Sequence, residues 1–315
     1  MNGNLTDEKR LDFWPDAVAC WQKLPNKLFF FSLLTAWLAL FHFLGNSILG
    51  YVHSASIFSW LNSTYNTRAD SDDGYGNFIP FVVIGLFWWK RKELLALPLQ
   101  IWWPGILIVV LAVVLHVGGF LLQQPRLSTG AMFVGIFGLT GMAWGWAWLK
   151  KSIFPFWLFI FSIPLSALLL PLTFPLRIIV SFLTAAAANL LTIDVTRIGT
   201  QLIGHGGKFQ YDVVAACSGM KSLVSIFLLA TVYGCLIFRS PKKRLLLMAL
   251  ALPLSVMGNF LRLFCIIVVA EIGGQSAGDY VHENFIISLL PYIPAFLGLF
   301  WAGSWLEKKY GKETP

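Results

Sequence analysis

Long apolar runs separated by short basic clusters dominate the chain, the pattern of a polypeptide whose solvent is lipid. A helix rising 1.5 Å per residue needs about 20 apolar residues to cross a hydrocarbon core. Eight stretches meet that need, near 28 to 50, 77 to 90, 96 to 122, 130 to 149, 152 to 173, 214 to 238, 245 to 270 and 284 to 305. The second is short at its apolar centre and draws on Gly76 and Asn77.

Orientation follows from the Lys and Arg residues, which concentrate in cytoplasmic loops. With eight spans, Lys9, Arg10, Lys23 and Lys27; Lys90, Arg91 and Lys92; Lys150 and Lys151; Arg239, Lys242, Lys243 and Arg244; and Lys308, Lys309 and Lys312 fall on one side. They are 16 of the 23 basic residues, so this side is expected to be cytosolic, with both termini on it. Pro175 to Ile193 is also apolar and competes as a ninth span. A crossing there would carry Arg239 to Arg244 to the wrong side. The segment is therefore expected to be re-entrant or interfacial, with Arg177 snorkelling to the head groups. Two alternating runs between Thr200 and Val214 flank Gly204-His205-Gly206-Gly207 and predict a β-hairpin. The expected fold is thus all-α: a polytopic integral membrane protein of about eight transmembrane helices, one re-entrant or interfacial helix and a small extracytoplasmic β-hairpin. Its expected divisions are a cytosolic segment 1–27, a single transmembrane catalytic domain 28–306 and a cytosolic tail 307–315.

Composition agrees with this solvent. The 315 residues are 57% hydrophobic and 12% charged, with mean hydropathy +0.72, 14 Trp and 27 Phe, well outside the range of soluble domains. The net charge of +8 lies in loop clusters, which argues against nucleic acid as a partner. Asp7, Glu8, Asp12 and Asp16 without an early apolar core argue against a cleavable signal peptide, so the first membrane helix is expected to direct insertion.

Polar groups at membrane depth are costly and usually functional. Cys217, Ser218 and Lys221 open the sixth predicted span, Asn259 and Arg262 lie inside the seventh, and His282 with Glu283 opens the eighth. Counted from Arg244, Asn259 and Arg262 stand roughly 22 and 27 Å up their helix, and Cys217 stands roughly 31 Å from Phe238. Cys217, Arg262 and His282 therefore share one outer depth. A Cys in the first turn of a helix has a lowered pKa. A His can deprotonate it and then protonate a leaving amine, and an Arg can hold a developing oxyanion. Asn259, one turn before Arg262, shares its face and could orient it.

Blander readings stand beside these. Cys20 and Cys235 fit as apolar fillers, and a Cys217–Cys265 disulfide competes with a free nucleophile. Arg262 could snorkel, His282 could cap a helix, and Ser218 with Lys221 is a conceivable second nucleophile and base. His42, His53, His116 and His205 show no metal spacing, and His205 reads as a turn residue. No metal and no cofactor is implied.

The run Val214-Ala215-Ala216-Cys217-Ser218-Gly219-Met220-Lys221-Ser222-Leu223, the pair in Asn259-Phe260-Leu261-Arg262, and His282 together resemble the exosortase and archaeosortase family. Pro175-Leu176-Arg177 through Arg197-Ile198-Gly199 and the stretch Gly76 to Pro80 extend the likeness. The sequence departs from the family at Gly74-Tyr75-Gly76, where many relatives have Ser-His-Gly, and at Glu283-Asn284-Phe285. The resemblance implies a cysteine transpeptidase of the inner membrane, with its site on the periplasmic side. Cys217, Arg262 and His282 would be catalytic, and Asn259, Ser218 and Gly219 supporting. Its implied partners are exported proteins ending in a short Pro-containing motif, a membrane helix and a basic tail, together with membrane lipid and an unidentified lipid or glycan acceptor. A transporter, a non-catalytic assembly subunit for exported polysaccharide, and a peptidase that releases its product to water are the competing functions.

Overall fold

The computed structural model describes residues 13–45, 55–66, 73–213 and 220–310, which are mostly helical. They fall into two compact units, one made of Met1–Ala69 and Gly76–Pro164, the other of Asp70–Tyr75 and Leu165–Pro315.

Among its described residues the first unit holds eight α-helices: α1 Phe13–Lys23, α2 Lys27–Phe43, α3 Ile57–Asn66, α4 Ile79–Trp89, α5 Arg91–Leu95, α6 Pro104–Leu121, α7 Pro125–Trp144 and α8 Trp146–Leu158. α7 is its centre, buried along most of its length, with Ser128, Thr129, Ala131, Leu139 and Trp144 among its buried residues. Small residues allow the close approach that apolar surfaces in lipid need in order to adhere. A Cβ at Gly138 would come within 2.9 Å of the Gly105 carbonyl of α6, and one at Gly135 within 2.0 Å of the Trp37 ring of α2. The Trp37 indole also donates to the Met132 carbonyl at 2.9 Å.

Pro and Gly set the helix limits here. α6 and α7 each begin at a proline, whose missing N–H costs nothing in a first turn. α7 stops at Gly145, whose φ of 94° and ψ of 174° only glycine adopts readily.

The predicted span 152 to 173 is not one helix. α8 ends at Leu158, a 3-10 turn covers Phe159–Ser162, and Ile163 is extended, because a residue before proline, here Pro164, is driven out of the α region. The next helix, α9 Ser166–Leu190, opens nine residues before the helix expected from Pro175, and it contains both Pro171 and Pro175. Its start is held by Asp73, a buried carboxylate. Asp73 Oδ1 accepts from the main-chain N–H groups of Leu165 and Ser166, each at 3.0 Å, and its Oδ2 accepts from the Ser166 hydroxyl at 2.5 Å. The Tyr75 hydroxyl donates to the same carboxylate at 3.1 Å. Arg177, expected at the head groups, is 6% exposed.

The second unit continues with β1 Val195–Ile198, β2 Gln201–Gly204 and β3 Gln210–Asp212, an antiparallel sheet in the order β1-β2-β3. Gly206 and Gly207, with φ of 64° and 76°, turn the chain between β2 and β3. Then come α10 Met220–Ile237, α11 Pro241–Gly273, α12 Gln275–Glu283, α13 Phe285–Leu289, a 3-10 turn Leu290–Tyr292 and α14 Ile293–Tyr310. Val195, Leu202, Phe209, Tyr211 and Val213 are buried against Val180, Ala185 and Ala188 of α9 and Leu263, Ile266, Ile267 and Ala270 of α11. The sheet thus seats on the second half of α11.

Among the described residues, four helical stretches are long and apolar enough to cross a membrane: Pro104–Leu121, Pro125–Trp144, Pro241–Gly273 and Ile286–Lys309. Trp14–Lys23 with Lys27–Phe43, bent by 94°, makes a fifth if counted as one span. The apolar helices Gly74–Trp89, Phe174–Leu190 and Ser222–Ile237 are shorter. The eight spans expected from hydropathy thus meet four or five of full length. The chain is an integral membrane protein by these helices.

Candidate functional site

α11 is the frame of the site. At 33 residues it is roughly 50 Å long, and its interior is apolar except along one stripe. Ser255, Asn259 and Arg262 follow at steps of four and three, which puts them on one face. Ser255 and Asn259 are buried at 3% exposure each, and Arg262 is half-buried. Each of the three meets a different element.

Arg262 meets the end of α12. α11 stops at Gly274, whose φ of 78° and ψ of 179° suit glycine alone, and α12 turns back along α11. Two pairings fix this reversal. A Cβ at Gly278 would lie 2.9 Å from that of Ala270, and farther along, Arg262 Nη2 donates to the His282 carbonyl at 3.4 Å. That carbonyl belongs to the last turn of α12, where carbonyls lack helical partners and the helix dipole favours a cation.

The structure therefore brings Arg262 and His282 together, with a different local setting for His282 from the one expected. His282 closes α12 instead of opening the last span. The next helix starts only after Asn284, which is extended (φ −71°, ψ 114°) and accepts from the Ile287 N–H at 3.1 Å through its side chain. An Asn in this role is a strong N-cap.

Asn259 meets Tyr292 of the 3-10 turn, whose hydroxyl donates to Asn259 Oδ1 at 3.4 Å. The ring lies so close to α11 that a Cβ at Gly258 would be 2.6 Å from it. Asn259 thus ties α11 to the beginning of α14. Ser255 meets the first turn of α10, its hydroxyl 3.5 Å from that of Ser222, with both side chains buried. Cys217, Ser218 and Gly219 lie outside the described residues, and the chain that follows them enters α10 at Met220. Cys265, the rival disulfide partner, is exposed on α11.

The other end of α12 is held by the sheet. Lys208, just before β3, pairs at 2.8 Å with Glu271 at the end of α11. The Gln210 N–H donates to Gln275 Oε1 at 2.8 Å, and the Tyr211 hydroxyl donates to the Gln275 carbonyl at 3.1 Å. Gln275 Nε2 in turn donates to Asp279 at 2.9 Å. Burial, and then the neighbouring Asp279 carboxylate, push the Tyr211 phenol well above its ordinary value, so it stays a protonated donor.

Ser222, Ser255, Tyr292, Tyr211 and Asp279 escape the reading from sequence. The stripe could have revealed Ser255, which stands one turn before Asn259. The others depend on where a turn, a strand and a short helix are set in space. Among the described residues no three His, Cys, Asp or Glu side chains are grouped to hold a metal ion.

Chemically, the cluster offers a guanidinium and an imidazole-bearing helix end, with Ser255 on the same α11 face meeting the helix that follows Cys217. Residues 60–301 of the chain match the family model described as Transmembrane exosortase (Exosortase_EpsH). No curated protein and no solved structure matches the chain.

Proposed function

Because the chain belongs to the transmembrane exosortase family, we propose that it is a cysteine transpeptidase that cuts exported proteins beside a C-terminal membrane helix, with Cys217, His282 and Arg262 as its catalytic groups. The observation that carries this reading is the pairing of Arg262 with His282, 20 residues apart. It lies on the same α11 face whose Ser255 meets the helix following Cys217.

In this reading the Cys217 thiolate attacks the carbonyl carbon of the scissile amide, with the thiol proton taken by His282. Negative charge then gathers on the carbonyl oxygen, where Arg262 stabilises it. The C–N bond breaks as His282 returns its proton to the leaving amine, and the exported protein stays on Cys217 as a thioester. An acceptor nucleophile gives its proton to His282 and attacks the thioester, releasing the thiolate. Water in place of the acceptor would make the same steps a hydrolysis. No step calls for a cofactor.

The substrate class is the one that the family resemblance implies. A protein anchored by one helix, with a short Pro-containing motif before it and a basic tail after it, would present its cleavage point at the outer membrane boundary. The basic clusters support a chain with both termini in the cytosol and a site on the periplasmic face of the inner membrane. The acceptor is assigned to the lipid or glycan class.

A reporter with that C-terminal signal, co-expressed in membranes, tests the reading. Loss of its size shift with Cys217→Ala, at unchanged enzyme abundance, is expected. A normal shift with Cys217→Ala would rule the mechanism out.

A further inference from the structure

α12 is only nine residues long, too short to hold its own shape or direction in isolation. It joins α11 through Gly274, whose φ of 78° reverses the chain. The place where it delivers His282 is therefore set by ties to neighbouring elements. At its far end the tie is Arg262 to the His282 carbonyl. At its near end the tie is to β3.

We infer that Tyr211 is a positioning residue for His282: by anchoring the start of α12 to β3, its hydroxyl sets where the end of that helix meets Arg262. This deepens the transpeptidase reading and rests on it.

Three observations support the assignment. The Tyr211 hydroxyl donates to a main-chain carbonyl, that of Gln275, so it fixes the helix backbone itself. Gly278, one turn into α12, leaves the room this needs, since a Cβ there would come within 2.1 Å of the hydroxyl. Gln275 and Asp279 extend the same contact along the helix, through the bond between their side chains and through the Asp279 carboxylate near the phenol. β3 is also the strand that leads into the Cys217 segment, five residues beyond Asp212. One side chain thus links the strand before the proposed nucleophile to the helix that carries the proposed base.

The ring of Tyr211 belongs to the apolar core with Leu202, Phe209 and Ile266, so Tyr211→Phe removes the hydroxyl and keeps the packing. A residue that acts through His282 differs from a generally structural one in a double-mutant cycle. The rate of Cys217 alkylation by iodoacetamide in intact membranes, read at the Cys217 peptide, and the rate of reporter processing would be measured for wild type, Tyr211→Phe and His282→Ala. Alkylation would also be measured for the Tyr211→Phe/His282→Ala pair.

Tyr211→Phe is expected to slow both rates about tenfold, the factor that one lost hydrogen bond carries, and to slow alkylation no further in the His282→Ala background. Equal slowing in both backgrounds, or wild-type rates in Tyr211→Phe, would overturn the inference. Should Tyr211→Phe fail to accumulate, Asp279→Asn enters the same cycle with the same two outcomes. Normal processing by Cys217→Ala would instead defeat the transpeptidase reading itself, whereas an alkylation rate that falls with His282→Ala but not with Tyr211→Phe would defeat only the positioning role.

Discussion

Arg262 donates to the main-chain carbonyl of His282 across 3.4 Å, although the two residues stand on different helices, α11 and α12. The bond joins an always-charged fork to the carbonyl end of a short helix, where the dipole adds to the attraction. Position and charge are thereby coupled, because the group proposed to stabilise an oxyanion also holds the turn that carries the proposed base.

Arg262→Lys is expected to lose roughly a hundredfold or more in processing rate, the range seen when an oxyanion donor is removed. A lysine offers a point charge in place of a planar fork, and it would loosen the end of α12 as well. Reporter processing in membranes, normalised to enzyme abundance, measures this. A rate within a factor of about three of wild type, less than one lost hydrogen bond carries, would remove Arg262 from the mechanism.

Asn259 bonds Tyr292 rather than Arg262 among its described contacts, so its loss should appear first in stability. Asn259→Ala removes the acceptor of a buried hydrogen bond from the Tyr292 hydroxyl, at a cost of about 1 kcal/mol. Thermal inactivation in detergent should show a clear shift, with a smaller loss of processing rate than Arg262→Lys produces. Tyr292→Phe should reproduce the stability shift, and wild-type inactivation in both variants would mean that the bond contributes nothing.

Asp73 accepts from two main-chain N–H groups and a hydroxyl at the start of α9. Asp73→Ala strips the cap and is expected to destabilise the protein by about 2 kcal/mol. Asp73→Asn, which keeps an acceptor, should cost less. Unfolding in detergent with increasing denaturant measures the order of the three proteins, and equal stability of Asp73→Ala and wild type would contradict the capping role.

Hydropathy located the apolar helices because burial in lipid demands long apolar runs, and that signal is local. The interruption at Ile163-Pro164 and the helix Ser166–Leu190 were missed because hydropathy does not register helix breaks. Pro164 ended one element, whereas Pro171 and Pro175 lie inside the next. α12 was invisible for a related reason. Its nine residues include Gln275, Asp279, His282 and Glu283, so from sequence it reads as a polar loop, and hydropathy places His282 at the start of the span beyond it. The stripe from Asn259 to Arg262 was legible because helical spacing alone sets a shared face. Its partners Ser222 and Tyr292, and the role of Tyr211, depend on tertiary placement that no local pattern encodes.

The most direct test of the account is a search for a covalent intermediate on Cys217. Membranes holding the enzyme and a reporter with the C-terminal signal would be quenched with acid, and the Cys217 peptide examined by mass spectrometry before and after hydroxylamine. The account predicts a hydroxylamine-sensitive acyl adduct on Cys217 that disappears in Cys217→Ser together with processing. Processing that continues in Cys217→Ser, with no adduct on the wild-type enzyme, would contradict it.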